Sequence, residues 1–368
     1  MTRSKLLMTP PAAADPRGEK RGEHSGRGAG SRREDCRQLI HERHRPRSAR
    51  RRGRCRVATR PVALFALLLA LFSTVGCRKQ EPPSGPPRVV ASFFPLYDFA
   101  RALGGTNFDV VCLTPPGGDP HAMDASPRAA QTVAGAQLVL LLGLGMDGWM
   151  EKLAASERQA RVTVASLGLA PKRVGKSALA EFQEHDHAGH AHDADEKDPH
   201  VWLDPVLAQQ IVRRIADDMA AVAPQHRESV FARRDAFLGE LQKLHEEFTA
   251  KLADVKRRQV VTFHGAFAYL FARYRLETVG VIELFPGDEP SAAYLRQLVD
   301  LMRQLQMKVI FAEPQLPDRP AQVIAKEIGG RVERLDPCET ILPDAPQATY
   351  LERQRANLET LRRVLTEP

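Results

Sequence analysis

From residue 89 onward the sequence alternates short apolar runs with longer stretches of helical period, and this rhythm most restricts the folds open to the chain. Apolar runs of four or five residues stand at 89–93, 110–113, 138–142, 162–165, 259–263, 278–282, 309–312 and 332–335. Runs this short and nearly continuous suit strands buried on both faces. Between many of them lie amphipathic stretches, such as 97–103, 129–134 and 294–304. Strands separated by helices are joined by crossovers, so the expected fold class is α/β with mainly parallel sheets.

One segment breaks the rhythm. Residues 224–258 carry no strand signal and place Phe231, Leu238, Leu241, Leu244, Phe248, Leu252 and Val255 at helical spacing. A single helix over 224–256, with Pro224 in its first turn, would span about 48 Å at the usual rise, more than the width of a small domain. The layout expected from this is two α/β lobes, 88–223 and 257–368, joined by one rigid helix. Periodicity alone also allows a helix lying across one large sheet.

The chain has 53 Lys and Arg against 45 Asp and Glu, and a positive balance of this kind invites a nucleic-acid reading. The charge belongs to one end. Residues 1–60 hold 18 Lys and Arg against 6 Asp and Glu, so of the net +8 the remaining residues carry −4. Residues 61–76 are uncharged, follow Arg50, Arg51, Arg52, Arg54, Arg56 and Arg60, and end at Cys77. A membrane-spanning helix needs about 20 apolar residues, and a basic flank before a shorter run is the export pattern. The segment therefore reads as a signal peptide. The Gly76-Cys77 junction is similar to the lipobox of bacterial lipoproteins, although Thr74 stands where that pattern favours Leu. Cys77 is thus expected to be lipidated, with 77–87 as a Pro-rich tether; plain cleavage is the alternative. Residues 1–60 form a basic leader without apolar periodicity, and the long stretch before the arginine cluster reads as untranslated sequence ahead of a misplaced start. An exported protein has no use for a nucleic-acid arm, and no nucleic-acid partner is expected. Of five cysteines, only Cys112 and Cys338 belong to the two lobes; a disulfide between them is open to an exported chain but is not fixed by sequence.

Chemistry concentrates in histidines. Residues 181–200 hold His185, His187, His190, His192 and His200 among seven carboxylates. Neutral imidazole is the commonest metal ligand, and such a tract can take up metal without fixed geometry; as a fold it is a solvated acidic loop. Asp-Pro-His occurs twice, ending at His121 and at His200. Proline stiffens the turn that carries the imidazole, which a preformed ligand site requires, although either tripeptide alone could be an ordinary turn. His264 and Asp336 directly follow apolar runs, and ligands gather at the carboxyl ends of strands in open α/β sheets. With His121 and His200 from the first lobe and His264 and Asp336 from the second, a metal would lie in the cleft between lobes.

These residues stand in longer motifs: VVASFFPLYDFARALGG, PGGDPHAMDASPRAA, DPHVWLDP, VVTFHGAFAYLFARY, FPGDEPS, FAEPQ and RLDP. With them the sequence resembles the metal receptors of bacterial ABC importers, and among these the high-affinity zinc receptors of the ZnuA type, over essentially all of 88–368. The resemblance implies two α/β lobes connected by one long helix, with His121, His200 and His264 as primary ligands and Asp336 at a position where relatives supply a carboxylate. It implies an extracytoplasmic monomer that carries Zn²⁺ to a membrane permease driven by an ATPase. Three nitrogens and one oxygen suit Zn²⁺, whereas oxygen-rich sites suit Mn²⁺; manganese or iron is the alternative cargo. The His-rich tract is read as a low-affinity collector or sensor. An enzyme is not expected: a zinc hydrolase would keep an open coordination position, and no HExxH element is present. Some relatives are assigned as surface adhesins, which leaves adhesion as a further alternative. Glu313 is read as structural, a place near the cleft being the alternative, Trp149 and Trp202 as packing residues, and Glu289, Pro290 and Ser291 as the start of a helix.

Overall fold

Two sheets form, each of four parallel strands, and each repeats the same strand order. In the first, β1 (Arg88–Ala91), β2 (Asp109–Cys112), β3 (Leu138–Leu141) and β4 (Arg161–Val164) run in the order β2-β1-β3-β4. In the second, β5 (Gln259–His264), β6 (Glu277–Glu283), β7 (Val309–Ala312) and β8 (Arg331–Arg334) run as β6-β5-β7-β8. The computed structural model describes residues 85–157, 159–173, 197–283 and 290–367. The leader, the apolar run 61–76, Cys77 and residues 181–196 of the His-rich tract lie outside the described residues. All eight strands fall within two residues of the apolar runs that announced them.

Helices cross between the strands: α1 (Phe94–Gly104), α2 (Pro127–Val133), α3 (Gly148–Ser156), α4 (Pro205–Val222), α5 (Arg227–Lys251), α6 (Ala268–Arg273), α7 (Ala292–Gln304), α8 (Arg319–Glu327) and α9 (Tyr350–Thr366). Several begin on the expected capping chemistry. The Ser126 and Ser291 hydroxyls accept from the backbone N–H three residues on, and Thr349 with Glu352 closes a reciprocal capping box. Among the described residues no helix is long and apolar enough to cross a membrane.

The period-two alternation of the strands sorts their side chains into separate cores. Val89 and Ala91, Leu138 and Leu140, Val260, Val309 and Phe311 face a continuous core that runs between the sheets. Val90, Val139 and Leu141 meet Trp149 and Met150 on the outer face of the first sheet, while Val261, Phe263, Ile310 and Ala312 meet Leu298, Met302 and Ile324 outside the second. His264 lies four residues beyond Val260 on the same strand, and so shares the face that looks toward the first sheet.

Helix α5 is the expected connector, but shorter. Its 25 residues span about 38 Å, against the 48 Å anticipated. Pro224 starts a separate 3-10 turn (Pro224–His226), and after Leu252 the chain bends so that the Lys256 and Arg257 N–H groups bond to the Leu365 carbonyl. Val230, Leu238, Leu241, Leu244 and Phe248 bury one face of α5, which packs on α1, α4 and α9. A second tie was not anticipated: α9 follows β8, yet its N-terminal half packs on the first sheet's side. The Tyr350 N–H donates to Asp98, its hydroxyl donates to the Trp202 carbonyl, and Arg353 stacks 4.4 Å above the Phe94 ring.

The C-terminal half of α9 is clamped to the sheet edge by Glu333 of β8, whose carboxylate accepts from both Arg363 nitrogens at 2.9 and 2.7 Å and from Arg331 at 2.7 Å. Arg363 first, then Arg331, holds the Glu333 pKa down to about 2 from 4.5. A depressed carboxylate contributes stability above its unfolded pKa and loses it as pH falls through the folded one. Glu333→Gln should therefore lower Tm at neutral pH, and the gap to wild type should close between pH 4.5 and about 2. A gap independent of pH would show that the clamp is not electrostatic.

Candidate metal centre

The carboxyl ends of both sheets bring three imidazoles together. His121 sits on a 3-10 turn (Pro120–Ala122) after β2, His200 on the segment entering α4, and His264 ends β5. Their ring centroids form a triangle with sides of 5.3, 5.6 and 5.0 Å. One nitrogen of each lies within 4.8 Å of the others. His200 and His264 are buried, while the His121 side chain keeps 20% of its surface in solvent and marks the open side.

The same local device presents several of these groups. The Oδ1 atoms of Asp119, Asp198, Asp204 and Asp336 each accept from the backbone N–H two residues on, across an intervening proline, at 2.8, 2.9, 2.9 and 2.8 Å. Proline has no N–H to compete and fixes its own φ, so Asp-Pro folds as a stiff turn with the aspartate turned inward to its own backbone. In both Asp-Pro-His tripeptides the imidazole is what such a turn projects. Asp198 Oδ1 also accepts from His200 Nδ1 at 2.8 Å, which leaves Nε2 for the centre. The turn before His121 is anchored across the molecule. Gly117 takes φ +74°, which only glycine adopts freely, and its N–H reaches the Ile341 carbonyl at 2.9 Å.

Asp336 is not at this centre, contrary to expectation. Arg353 engages both of its oxygens at 2.6 Å, and Oδ1 also accepts from the Cys338 N–H. Its carboxylate is consumed in holding the loop. The acid that arrives is Glu339, three residues on, after Cys338 reverses the backbone with φ +56°. Glu339 Oε1 lies 3.1 Å from His200 Nε2 and 3.6 Å from His121 Nε2, and these three buried atoms have no hydrogen-bond partner. Glu313, directly after β7, was read as structural; its Oε1 lies 3.1 Å from His264 Nδ1, and His264, Glu313 and Glu339 form a second possible donor group.

Charge is compensated internally. Burial disfavours protonation of His200, but Asp198 and Glu339 outweigh it and raise its pKa to about 10. Burial, reinforced by the charge of His200, pushes His264 down to about 3. Glu339, though buried, is held well below the usual carboxylate range by His121 and His200, whereas burial and the facing Glu339 push Glu313 well above it. The arrangement offers imidazole nitrogens and one carboxylate oxygen to a single point, a donor set of borderline softness.

His185, His187, His190 and His192 lie outside the described residues. Cys112 and Cys338 are both free thiols, so the disulfide does not form; Cys338 is buried, directly before Glu339 on the same loop. Trp202 packs edge-on against Phe93 at 4.9 Å and donates to the Pro337 carbonyl, and Trp149 lies in the outer core of the first sheet, so both are packing residues.

The family profile described as ZnuA, zinc-uptake complex component A, periplasmic, matches residues 89–364. Among curated proteins, the zinc-binding lipoprotein AdcA of Streptococcus pneumoniae is 30% identical over 302 residues, covering 81% of this chain and 60% of its own length. The chain thus spans about 60% of the length of this curated relative. Among solved structures, the laminin-binding protein Lmb of Streptococcus agalactiae, described as a bifunctional protein with adhesin and metal-transporting activity, aligns with TM-score 0.66 and 31% identity over 76% of this chain and 99% of its own. The Zn(II)-bound ZnuA-like domain of S. pneumoniae AdcA aligns with TM-score 0.65 and 26% identity over 77% of this chain and all of its own.

The two acids of the 336–339 loop should respond differently to mutation. Asp336→Ala leaves the buried Arg353 guanidinium without its carboxylate and should cost about 3–5 kcal/mol in chelator-treated protein. Glu339→Gln should cost much less, because it also relieves repulsion with Glu313. Thermal unfolding that ranks the two variants the other way would contradict these assignments.

Proposed function

Because the chain belongs to the ZnuA family of periplasmic zinc-uptake components, we propose that it is a high-affinity zinc receptor outside the cytoplasm that hands Zn²⁺ to an ABC-type importer. The observation that carries the proposal is the convergence of His121, His200 and His264 with Glu339 Oε1 at the carboxyl ends of two facing sheets. Its donors match tetrahedral zinc, and similarity to the Zn(II)-bound AdcA domain supports the same cargo.

In this reading a zinc ion enters on the His121 side and meets two buried imidazoles already oriented by Asp198 and Glu313. Glu339 supplies the fourth donor and one negative charge. Four protein ligands leave no position for an activated water, so the centre suits capture and release and not hydrolysis. The family is one of metal-binding receptors. The permease and its ATPase are proposed as partners on the same ground. The acidic His-rich tract would gather cations, and lipid on Cys77 would hold the receptor at the membrane, in keeping with the lipoprotein name of the AdcA relative. Likeness to Lmb favours one second reading, surface adhesion. A deletion strain separates the two: a growth defect rescued by added zinc supports transport, while an attachment defect alone supports adhesion.

Zinc titration against a competing chelator tests the centre directly. His264→Ala should weaken binding by more than the roughly 10- to 100-fold that the outer partners of a ligand command, while deletion of 181–196 should leave the tightest site intact. Wild-type affinity should fall from about pH 7.5 to about pH 5, because zinc must displace the proton that Asp198 and Glu339 hold on His200 up to about pH 10, while His264, pushed down to about 3, stays neutral throughout. Unchanged affinity in His264→Ala, or at the lower pH, contradicts the three-imidazole centre. Cys77→Ala should abolish lipid labelling and release the protein from the membrane fraction; retention would place the anchor elsewhere.

A further inference from the structure

We propose that Gln315 determines how many oxygens Glu339 offers to a cation, and thereby favours four-coordinate over six-coordinate metal ions. The inference rests on the receptor reading above and concerns selectivity within it.

Gln315 lies three residues beyond β7, on the loop that also carries Glu313. Its amide nitrogen donates to Glu313 Oε2 at 2.9 Å and to Glu339 Oε2 at 3.2 Å. Both amide hydrogens are therefore used, one on each carboxylate. Turning the amide over would set its carbonyl against two carboxylates, so its orientation is determined by charge. Each acid then has one oxygen held by Gln315 and the other directed at histidine. Glu313 Oε1 meets His264 Nδ1 at 3.1 Å, and Glu339 Oε1 faces His200 Nε2 and His121 Nε2 at 3.1 and 3.6 Å.

The coordination consequence follows from that division. With Oε2 tied back, Glu339 presents Oε1 alone, and three imidazole nitrogens with one oxygen make a tetrahedral set. A carboxylate free to turn can present both oxygens, which raises the coordination number and the oxygen share and suits harder cations such as Mn²⁺. Gln315 touches no donor atom that faces the centre. It acts as a positioning residue, through Glu339 on one side and through Glu313 and the His264 ring on the other.

Gln315 is only partly buried and belongs to none of the hydrophobic cores, so replacing it opens no core cavity. Gln315→Met keeps similar volume and removes the donor; Gln315→Ala removes both. Three quantities are read on purified full-length protein: Zn²⁺ and Mn²⁺ affinities by chelator competition, the visible absorption of the Co²⁺-loaded form, and Tm without metal. Gln315→Met should weaken Zn²⁺ by about 10- to 100-fold with Mn²⁺ unchanged or tighter, so the Zn²⁺/Mn²⁺ preference falls at least about tenfold. Co²⁺ absorption should drop from the intense bands of four-coordinate cobalt to the weak bands of higher coordination, beside a modest fall in metal-free Tm because two buried carboxylate oxygens lose their donor. A purely structural role would move Tm and leave the preference and the spectrum alone. Folded Gln315→Met with the wild-type preference and spectrum overturns the proposal; should that variant fold poorly, Gln315→Ala carries the same expectation and the same refutation. Failure of the receptor reading is distinct, because wild-type protein itself would then bind no zinc.

Discussion

Holding three imidazoles and two carboxylates out of water within a few ångströms of one another is unfavourable unless every group is compensated, and much of the structure serves that compensation. Asp198 and Glu339 neutralise His200, and Glu313 pairs with His264 at Nδ1. Gln315 lies between the two acids as a neutral spacer with donors on both sides. Arg353 pairs with a third nearby acid, Asp336, and offsets the repulsion that it adds to Glu313. Among the buried atoms left without a hydrogen-bond partner are His121 Nε2, His200 Nε2 and Glu339 Oε1, which face one another. In the receptor reading a divalent cation satisfies them together.

The sheet topology explains why these groups meet at all. In an order of 2-1-3-4, the connections after the first and third strands leave in opposite directions, and a crevice opens between their carboxyl ends. That crevice occurs twice, once in each sheet, and the two look toward one another across the shared core. Helices α5 and α9 keep them in register. Tyr350, Trp202 and Pro337 are linked by hydrogen bonds that run from one side to the other, as are Tyr269 with Asp198 and Arg273 with Asp204.

Much of the fold could be read in the chain because parallel strands buried on both faces leave a short, dense apolar signature, as residues 309–312 and 138–141 do. His264 was legible for the same reason, being the end of such a run. Glu339 was not. Asp336 is the first acid after β8, but Asp-Pro turns its carboxylate back onto its own backbone wherever it occurs in the described chain; at His121 and His200 the donor follows the turn, and at 336–339 it does as well. Glu313 looked like an isolated strand-end acid because its partner, His264, lies 49 residues away. The return of α9 was hidden similarly: the partner of the Tyr350 N–H is 252 residues distant. The connecting helix was overestimated because apolar spacing continues through Leu252 and Val255 after the backbone has already turned.

The donors are unequal in how firmly they are held, and the inequality has a direction. His264 ends a strand paired on both sides, and Glu313 follows the neighbouring strand, so this half of the centre is built on the sheet itself. His200 is buried and tethered at Nδ1. His121 stands apart, on a single 3-10 turn with the centre's largest imidazole exposure, although that turn is tied to the opposite side through Gly117 and Ile341. Thr340 adds a second tie by donating to the Pro115 carbonyl. The loop of His121 is therefore fastened to the loop of Glu339, and a change at either donor is transmitted to the other. The most exposed imidazole and the carboxylate facing it thus hang on the same few bonds, with the paired strands behind them.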